Sequence, residues 1–366
     1  ASYNYANRYF LSASIRQDRT SRLSSKHRSD NFPSVSGAWK ISSESFLQSN
    51  LINDLKLRAS WGQIGNIQSV DAYAFNLPLN TGMLTPMGNK GALVRHFALS
   101  VKPNPDLVWE RSESTDVGLD VTLANKFTLT ADYYRKKTIG MIYRNEPDPH
   151  LGMSSVAPSN IGDVLNRGFE FSAKYNDKFG EVGFRLFGNV TYSRNKIVFA
   201  DEPVRRYGYQ SMTGTRFGEY QGHIAMGYFT SKEEVEAAPQ QKFNPVSPGD
   251  IRYKNLNAED DNVIDAYDRT YLGKSWFPSW LYGAGFSASY KNFDLSLFFQ
   301  GVADVGIMAN GSEIPGKGMG VNGVGVLPFS GLGIYPNNTM SIVEDRWTAE
   351  NPRQDAYYPR LTMASG

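Results

Sequence analysis

Strict alternation of apolar and polar residues is the feature that most limits what this chain can fold into. Leu55, Leu57, Ala59 and Trp61 alternate with Lys56, Arg58, Ser60 and Gly62. Val117, Leu119, Val121 and Leu123 alternate with Asp116, Gly118, Asp120 and Thr122, and Phe127, Leu129, Ala131 and Tyr133 continue the rule. So do Phe169 to Tyr175, Val182 to Tyr192, Tyr282 to Tyr290 and Phe293 to Phe299. Successive side chains of a strand point to opposite faces, so each run is a strand with one apolar and one polar face. Tyr9, Leu11, Ala13 and Ile15, and then Val35, Gly37, Trp39 and Ile41, fit less cleanly. The pattern predicts about nine strands.

The connections carry the next constraint. Ala124-Asn125-Lys126, Asn176-Asp177-Lys178 and Lys291-Asn292 are tight, with Asn or Asp supplying a tolerant backbone for a hairpin turn. The connections between them are long, at about 15 to 85 residues. Short and long alternate, as in transmembrane barrels with short periplasmic turns and long extracellular loops. The predicted long loops cover about 17–31, 64–112, 139–166, 196–278 and 305–366. One connection departs from the rule: from Ser42 to Asp54, Phe46-Leu47 with Leu51-Ile52 suggest a brief helix where a short turn is due. An odd strand number cannot close a bacterial single-chain barrel, so further strands are expected before Ala1, after Gly366 or both.

Aromatics gather beside the short turns: Tyr133, Tyr134, Tyr175, Phe179, Tyr290 and Phe293. In a barrel they form the interfacial girdle, and in a soluble sandwich they would be cross-strand pairs. Long loops at one end only favour the barrel, because a sandwich has no reason for that asymmetry. Composition agrees. Mean hydropathy is only −0.43, yet a membrane strand needs an apolar residue only at every second position. Net charge is +2, which gives no broad basic field for nucleic acid. Cysteine is absent, which removes disulfides, thiolate metal sites and thiol nucleophiles.

A few constellations could carry chemistry. Asn255, Asn257, Asp261, the Val263 carbonyl, Asp265 and Asp268 offer hard oxygens at a spacing suited to Ca²⁺, with Asn262 at the turn position where glycine is expected. The plain alternative is a solvated acidic turn. Ser231-Lys232-Glu233-Glu234 is a capping box that starts a short helix inside a loop. Trp109, Tyr207, Tyr209, Tyr228, Phe229, Trp276 and Phe277 lie in the long loops and could stack on sugar rings, or else pack within the loops or against a partner. Gly316-Lys317-Gly318-Met319-Gly320 lacks the strand and helix of a phosphate loop, and Asn337-Asn338-Thr339 matches a glycosylation pattern. His27, His96, His150 and His223 are scattered without zinc-ligand spacing, and no catalytic set is suggested, so no enzyme is expected.

Asn31-Phe32-Pro33-Ser34-Val35-Ser36-Gly37-Ala38-Trp39-Lys40-Ile41, followed by Asn53-Asp54-Leu55 through Trp61-Gly62-Gln63-Ile64-Gly65-Asn66, resembles the barrel signature of the SusC/RagA-type TonB-linked outer-membrane transporters. Gly227-Tyr228-Phe229 through Pro248-Gly249-Asp250-Ile251-Arg252-Tyr253, and Tyr290 to Ser296 with Phe299-Gln300-Gly301, resemble the same family in the same order. The resemblance implies an all-β transmembrane antiparallel barrel of 22 strands, of which this chain is a part. It implies a plug domain, a TonB-contacting segment and final strands outside these residues. It also implies import of oligosaccharides or peptides across the outer membrane of a Gram-negative bacterium, beneath a SusD-like surface lipoprotein. A soluble β-sandwich or adhesin module, and a passive porin, are the alternatives.

Overall fold

The computed structural model describes residues 1–76, 79–88, 91–99, 101–143, 155–243, 245–307 and 345–360. His150, the glycine-rich stretch at Gly316 and the Asn337-Asn338-Thr339 pattern lie outside them, as does much of the 305–366 segment. The chain divides into two compact units. The first is Ala1–Pro203, Met212–Phe217 and Pro278–Asp304, and the second is Val204–Ser211, Gly218–Phe277 and Val305–Gly366.

The first unit is built on one ten-stranded sheet whose strands lie in chain order, each antiparallel to the next. We number them β1 (Ser2–Tyr5), β2 (Tyr9–Arg19), β3 (Ser29–Lys40), β4 (Ile52–Asn66) and β5 (Glu110–Leu123). There follow β6 (Phe127–Tyr143), β7 (Ser159–Phe179), β8 (Val182–Ala200), β9 (Trp280–Tyr290) and β10 (Phe293–Ala303). The count of nine is thus corrected to ten. β1 is only four residues long, too short to show a period, and Ala6 and Asn7, both at φ 52, turn it back onto β2. Among the described residues β1 and β10 each pair on one side only, and within lipid those free edges need partners.

Two turns lie where expected. Ala124 and Asn125 take φ 50 and 54, and Lys291 takes φ 51. The third does not. Asn176, Asp177 and Lys178 stay in β7, and the chain reverses at Gly180, with φ 59, and Glu181. Glycine takes that backbone without strain, so the strand runs past its polar residues. The irregular connection at 41–51 holds two 3₁₀ turns, Ile41–Ser43 and Ser45–Leu47. Glu44 between them is buried and accepts hydrogen bonds from Tyr9 Oη (2.6 Å), Trp39 Nε1 (3.1 Å) and Arg8 Nη1 (3.3 Å). These bonds, Tyr9 first and then Trp39, hold its carboxyl below the usual glutamate range. A carboxylate anchored by three donors explains why this connection is longer than a hairpin turn.

Register fixes the faces. Leu186, Phe286 and Leu297 form one row across three strands, and all belong to the apolar face. That face is bare: Leu11 is 54% exposed, Leu295 53% and Phe299 70%. A soluble protein would bury such a surface, whereas lipid covers it at no cost. Aromatic rows bound it at both ends. Phe169, Tyr192 and Trp280 pack together at 4.7 to 5.8 Å near the long connections. Tyr175, Phe179 and Phe184 pack at 5.2 to 5.7 Å near the short turns, beside Tyr290 and Phe293. On β9 the rows are Trp280 and Tyr290, about ten residues apart. At about 3.3 Å per residue and about 45° of tilt they stand roughly 24 Å apart along the membrane normal, the height of an outer-membrane apolar band. Tyr133, expected beside the short turns, pairs with Phe169 and belongs to the row near the long connections, and Tyr134 is corrected to the opposite face: adjacent residues cannot share one, and its ring lies over Gly168.

Candidate functional site

The polar face of the sheet carries paired charged side chains. Arg58 on β4 gives Nε to Asp120 Oδ2 (2.7 Å) and Nη2 to Asp132 Oδ1 (2.8 Å), reaching over two strands. It can do so because Gly118 lies between them. A Cβ there would overlap Asp132 Oδ1 and stand 2.7 Å from Arg58 Nη2. Thr130 Oγ1 adds a bond to Asp120 (3.1 Å). Arg58 is therefore committed to Asp120 and Asp132, and none of the three is left as an isolated ligand.

The expected loop aromatics separate into three groups. Trp109, Tyr228 and Phe229 are buried. Trp109 packs edge-on to Phe32 at 5.6 Å, in a cluster with Leu23, Val70, Leu107 and Ile142, and gives its indole N–H to the His27 carbonyl (3.2 Å). Tyr228 packs with Trp347 and Ala356 and donates its hydroxyl to the Ala356 carbonyl (2.9 Å). Phe229 is 2% exposed. These three hold loops together, and no free ring face is left for a ligand. Trp276 and Phe277 are exposed. They meet edge to face at 5.9 Å, and Tyr220, missed in the sequence, meets Trp276 at 6.1 Å. Their backbone approach depends on Gly218, at φ 76, where a Cβ would stand 2.6 Å from Trp276 Nε1.

Tyr207 and Tyr209 form the third group, and the structure joins them to the acidic turn of the second unit. Their rings stack at 5.3 Å and 5°, Tyr267 meets Tyr207 edge-on at 6.1 Å, and the Arg206 guanidinium sits over Tyr207 (5.2 Å) and Tyr267 (5.5 Å). Tyr207 donates its hydroxyl to Asp260, which raises its phenol above the ordinary range. Burial, with help from Asp268 and Tyr207, pushes the Tyr209 phenol up to about 12. Arg206 and Tyr267 were not singled out in the sequence. Only their proximity in space, across about 60 residues of chain, makes them part of the group.

The turn itself is tightly held. Asp268 is fully buried and accepts from the backbone N–H of Leu256 (2.6 Å) and Asp265 (2.9 Å). Asp265 Oδ1 accepts from Tyr267 N (2.8 Å), and Asp261 Oδ1 from Val263 N (3.1 Å). Asn255 gives Nδ2 to the Asp261 carbonyl (3.0 Å). Asn257 is 5% exposed and gives Nδ2 to Asp261 Oδ2 (3.3 Å), but its Oδ1 is buried without a partner among the described residues. Among the described residues no three acidic or imidazole side chains converge as a metal-binding group. Any cation here would draw on amide and carbonyl oxygens as well, which Ca²⁺ accepts. Nearby, Ser231 caps the expected helix, α1 (Lys232–Ala237), by accepting from Glu234 N (3.2 Å). The Glu234 carboxylate reaches back to Thr230 and not to Ser231, so the box closes one residue early.

The comparisons agree with this geometry. A family model for the TonB dependent receptor-like β-barrel matches residues 1–307. TonB-dependent receptor P26 of Formosa agariphila is 28% identical over 96% of this chain and 34% of its own length. TonB-dependent receptor SusC of Bacteroides thetaiotaomicron is 28% identical over 80% of this chain and 29% of its own length. The chain thus spans about a third of the length of the curated relatives it matches. A solved structure of the RagAB peptide transporter has the same fold, with a TM-score of 0.72 and 20% identity over 98% of this chain and 37% of that one. With its ten-stranded sheet, bare apolar face and paired aromatic rows, and with a family match over most of its length, the chain belongs to the TonB-dependent receptor-like β-barrel family.

Proposed function

We propose that the chain forms part of the wall and rim of a SusC/RagA-type outer-membrane importer, which takes up oligosaccharides or peptides with energy delivered through TonB. The observation that carries this is the sheet with an exposed apolar band between two aromatic rows, matched in height to a bilayer. A SusD-like surface lipoprotein is the proposed lid, and Trp276, Phe277, Tyr207 and Tyr209 are proposed contacts for cargo or lid. The polar face carries both signs of charge, with Arg58 paired to Asp120 and Asp132, and suits uncharged hydrophilic cargo more than one class of ion. Deleting the full-length gene in its native host should abolish uptake of an oligosaccharide or peptide class, and depleting TonB should do the same. Uptake that persists without TonB would contradict the proposal and mark a passive pore.

A Ca²⁺ ion in the acidic turn is a second part of this proposal. The unpartnered Asn257 Oδ1 supports it, beside Asn255, Asp261, the Val263 carbonyl, Asp265 and Asp268. When bound, the ion would stiffen the turn and the tyrosine stack that leans on it. Titration calorimetry on the intact protein should show Ca²⁺ binding that Asp265→Ala abolishes. No heat with the wild type would overturn it.

A further inference from the structure

The polar face carries one feature that polarity does not explain. Phe187 on β8, Gly285 on β9 and Phe298 on β10 form a single row across three strands. All three belong to the face opposite Leu186, Phe286 and Leu297, so two phenyl rings stand on the lumen side. The rings lie nearly parallel, 15° apart, with centroids 6.0 Å from each other. Glycine allows them to lie down. A Cβ on Gly285 would overlap the Phe187 ring, and one on Gly283 would press the Phe298 ring at 3.2 Å. Phe298 is 56% exposed.

The next row towards the long connections is Asn189, Gly283 and Gln300. Both amides are exposed, and neither has a hydrogen-bond partner among the described residues. Lys174 on β7 is exposed and stands beside Phe187 in the first row, and Ser172 stands beside Asn189 in the second. In the row on the other side of the rings, towards the short turns, Arg185 is committed through Nε to Asn176 Oδ1 (3.0 Å). Two rings therefore lie beside two free amides, about 7 Å away along the strands, with a glycine floor in both rows.

We propose that Phe187, Phe298, Asn189 and Gln300 form a subsite on the lumen wall for one sugar ring of the cargo. The inference rests on the import proposal and names the cargo class at this position. The apolar C–H face of a pyranose packs on the phenyl rings, and its hydroxyls donate to and accept from the two amides, each of which offers both functions. The rest of the polypeptide is the competing occupant. An apolar protein segment seated here would strip water from both amides and give nothing back, an unfavourable exchange. The Lys174 ammonium beside Phe187 is a further donor for a sugar hydroxyl.

The test uses the full-length protein in detergent micelles and short neutral glucose oligomers, followed by titration calorimetry. Phe298→Ala, and separately the pair Asn189→Ala with Gln300→Ala, should each weaken binding by about tenfold, while Phe298→Trp retains it. If the wild type binds the oligomers and none of these changes alters affinity, the subsite is wrong and import stands. If the wild type binds peptides but no sugar, the subsite is equally overturned. A second variant guards against misfolding. These 366 residues have no cysteine, so Gln300→Cys adds one thiol here, read against the wild-type protein as background. Reaction with a small polar reagent, slowed by the oligomers, is the expected result. A thiol inert even without sugar would show that the polypeptide itself covers the site and would overturn the proposal.

Discussion

Leu297→Arg should prevent the barrel from assembling in membranes, whereas Ser296→Arg, one step along the same strand, should leave it folded. Leu297 stands mid-row between the two aromatic rows, next to Phe286 on the apolar face. An arginine at such a depth costs about 2–4 kcal/mol against lipid. Native proteins in general have only about 5–15 kcal/mol in hand, and on that scale the loss is a large share of the whole. Ser296 pairs with Ser287 on the polar face, where a guanidinium stays hydrated. The difference in folded yield in lipid vesicles, read by heat-modifiable gel mobility of the full-length protein, measures the sidedness directly. Equal effects at both positions would mean that the two faces are not distinct environments.

The second large effect is expected at Gly168. A Cβ there would run into the backbone carbonyl oxygen of Tyr192 and stand 2.8 Å from the Tyr134 hydroxyl oxygen. A flexible side chain could move away, but a carbonyl held in a strand cannot. Gly168→Ala should therefore cost more than about 3 kcal/mol, as backbone-level overpacking does. Gly188 is the control. A Cβ there meets only the Gly283 carbonyl oxygen at 3.5 Å, ordinary contact, and Gly188→Ala should shift stability by less than about 1 kcal/mol. Urea unfolding in detergent micelles separates the two. A Gly168→Ala protein of unchanged stability would show that β7 and β8 are not packed in this register.

Much of the sheet was legible because strands that face lipid on one side and water on the other must alternate over their whole length. Leu55 to Trp61 and Val182 to Tyr192 state their faces residue by residue. What escaped was set by geometry that alternation does not encode. β1 is too short to carry a period. Asn176-Asp177-Lys178 has turn composition, but Gly180 offers a cheaper left-handed backbone two residues later. Tyr134 shared a cluster in sequence with Tyr133 and not a face. The loops were least legible, since a ring's role there depends on what covers it. Trp109 and Tyr228 read the same as Tyr207 in sequence, yet the first two are buried and hydrogen-bonded to distant carbonyls. The tyrosine stack and the acidic turn were each visible, but not that Tyr207 and Asn257 would meet at 3.3 Å. The phenyl pair on the lumen side was hidden for a related reason: Phe298 looks like part of an apolar run with Leu297 and Phe299 until register assigns its face.

The central claim is that the ten-stranded sheet crosses a membrane with one face to lipid. Scanning β10 with single cysteines from Phe293 to Ala303, each spin-labelled in the full-length protein in lipid bilayers, tests it most directly. Accessibility to oxygen, which concentrates in lipid, should peak at Leu295, Leu297 and Phe299. Accessibility to a water-soluble nickel chelate should peak at Asp294, Ser296, Phe298 and Gln300, out of phase by one residue. Two profiles that rise and fall together, or no oxygen maximum at Leu297, would contradict the account.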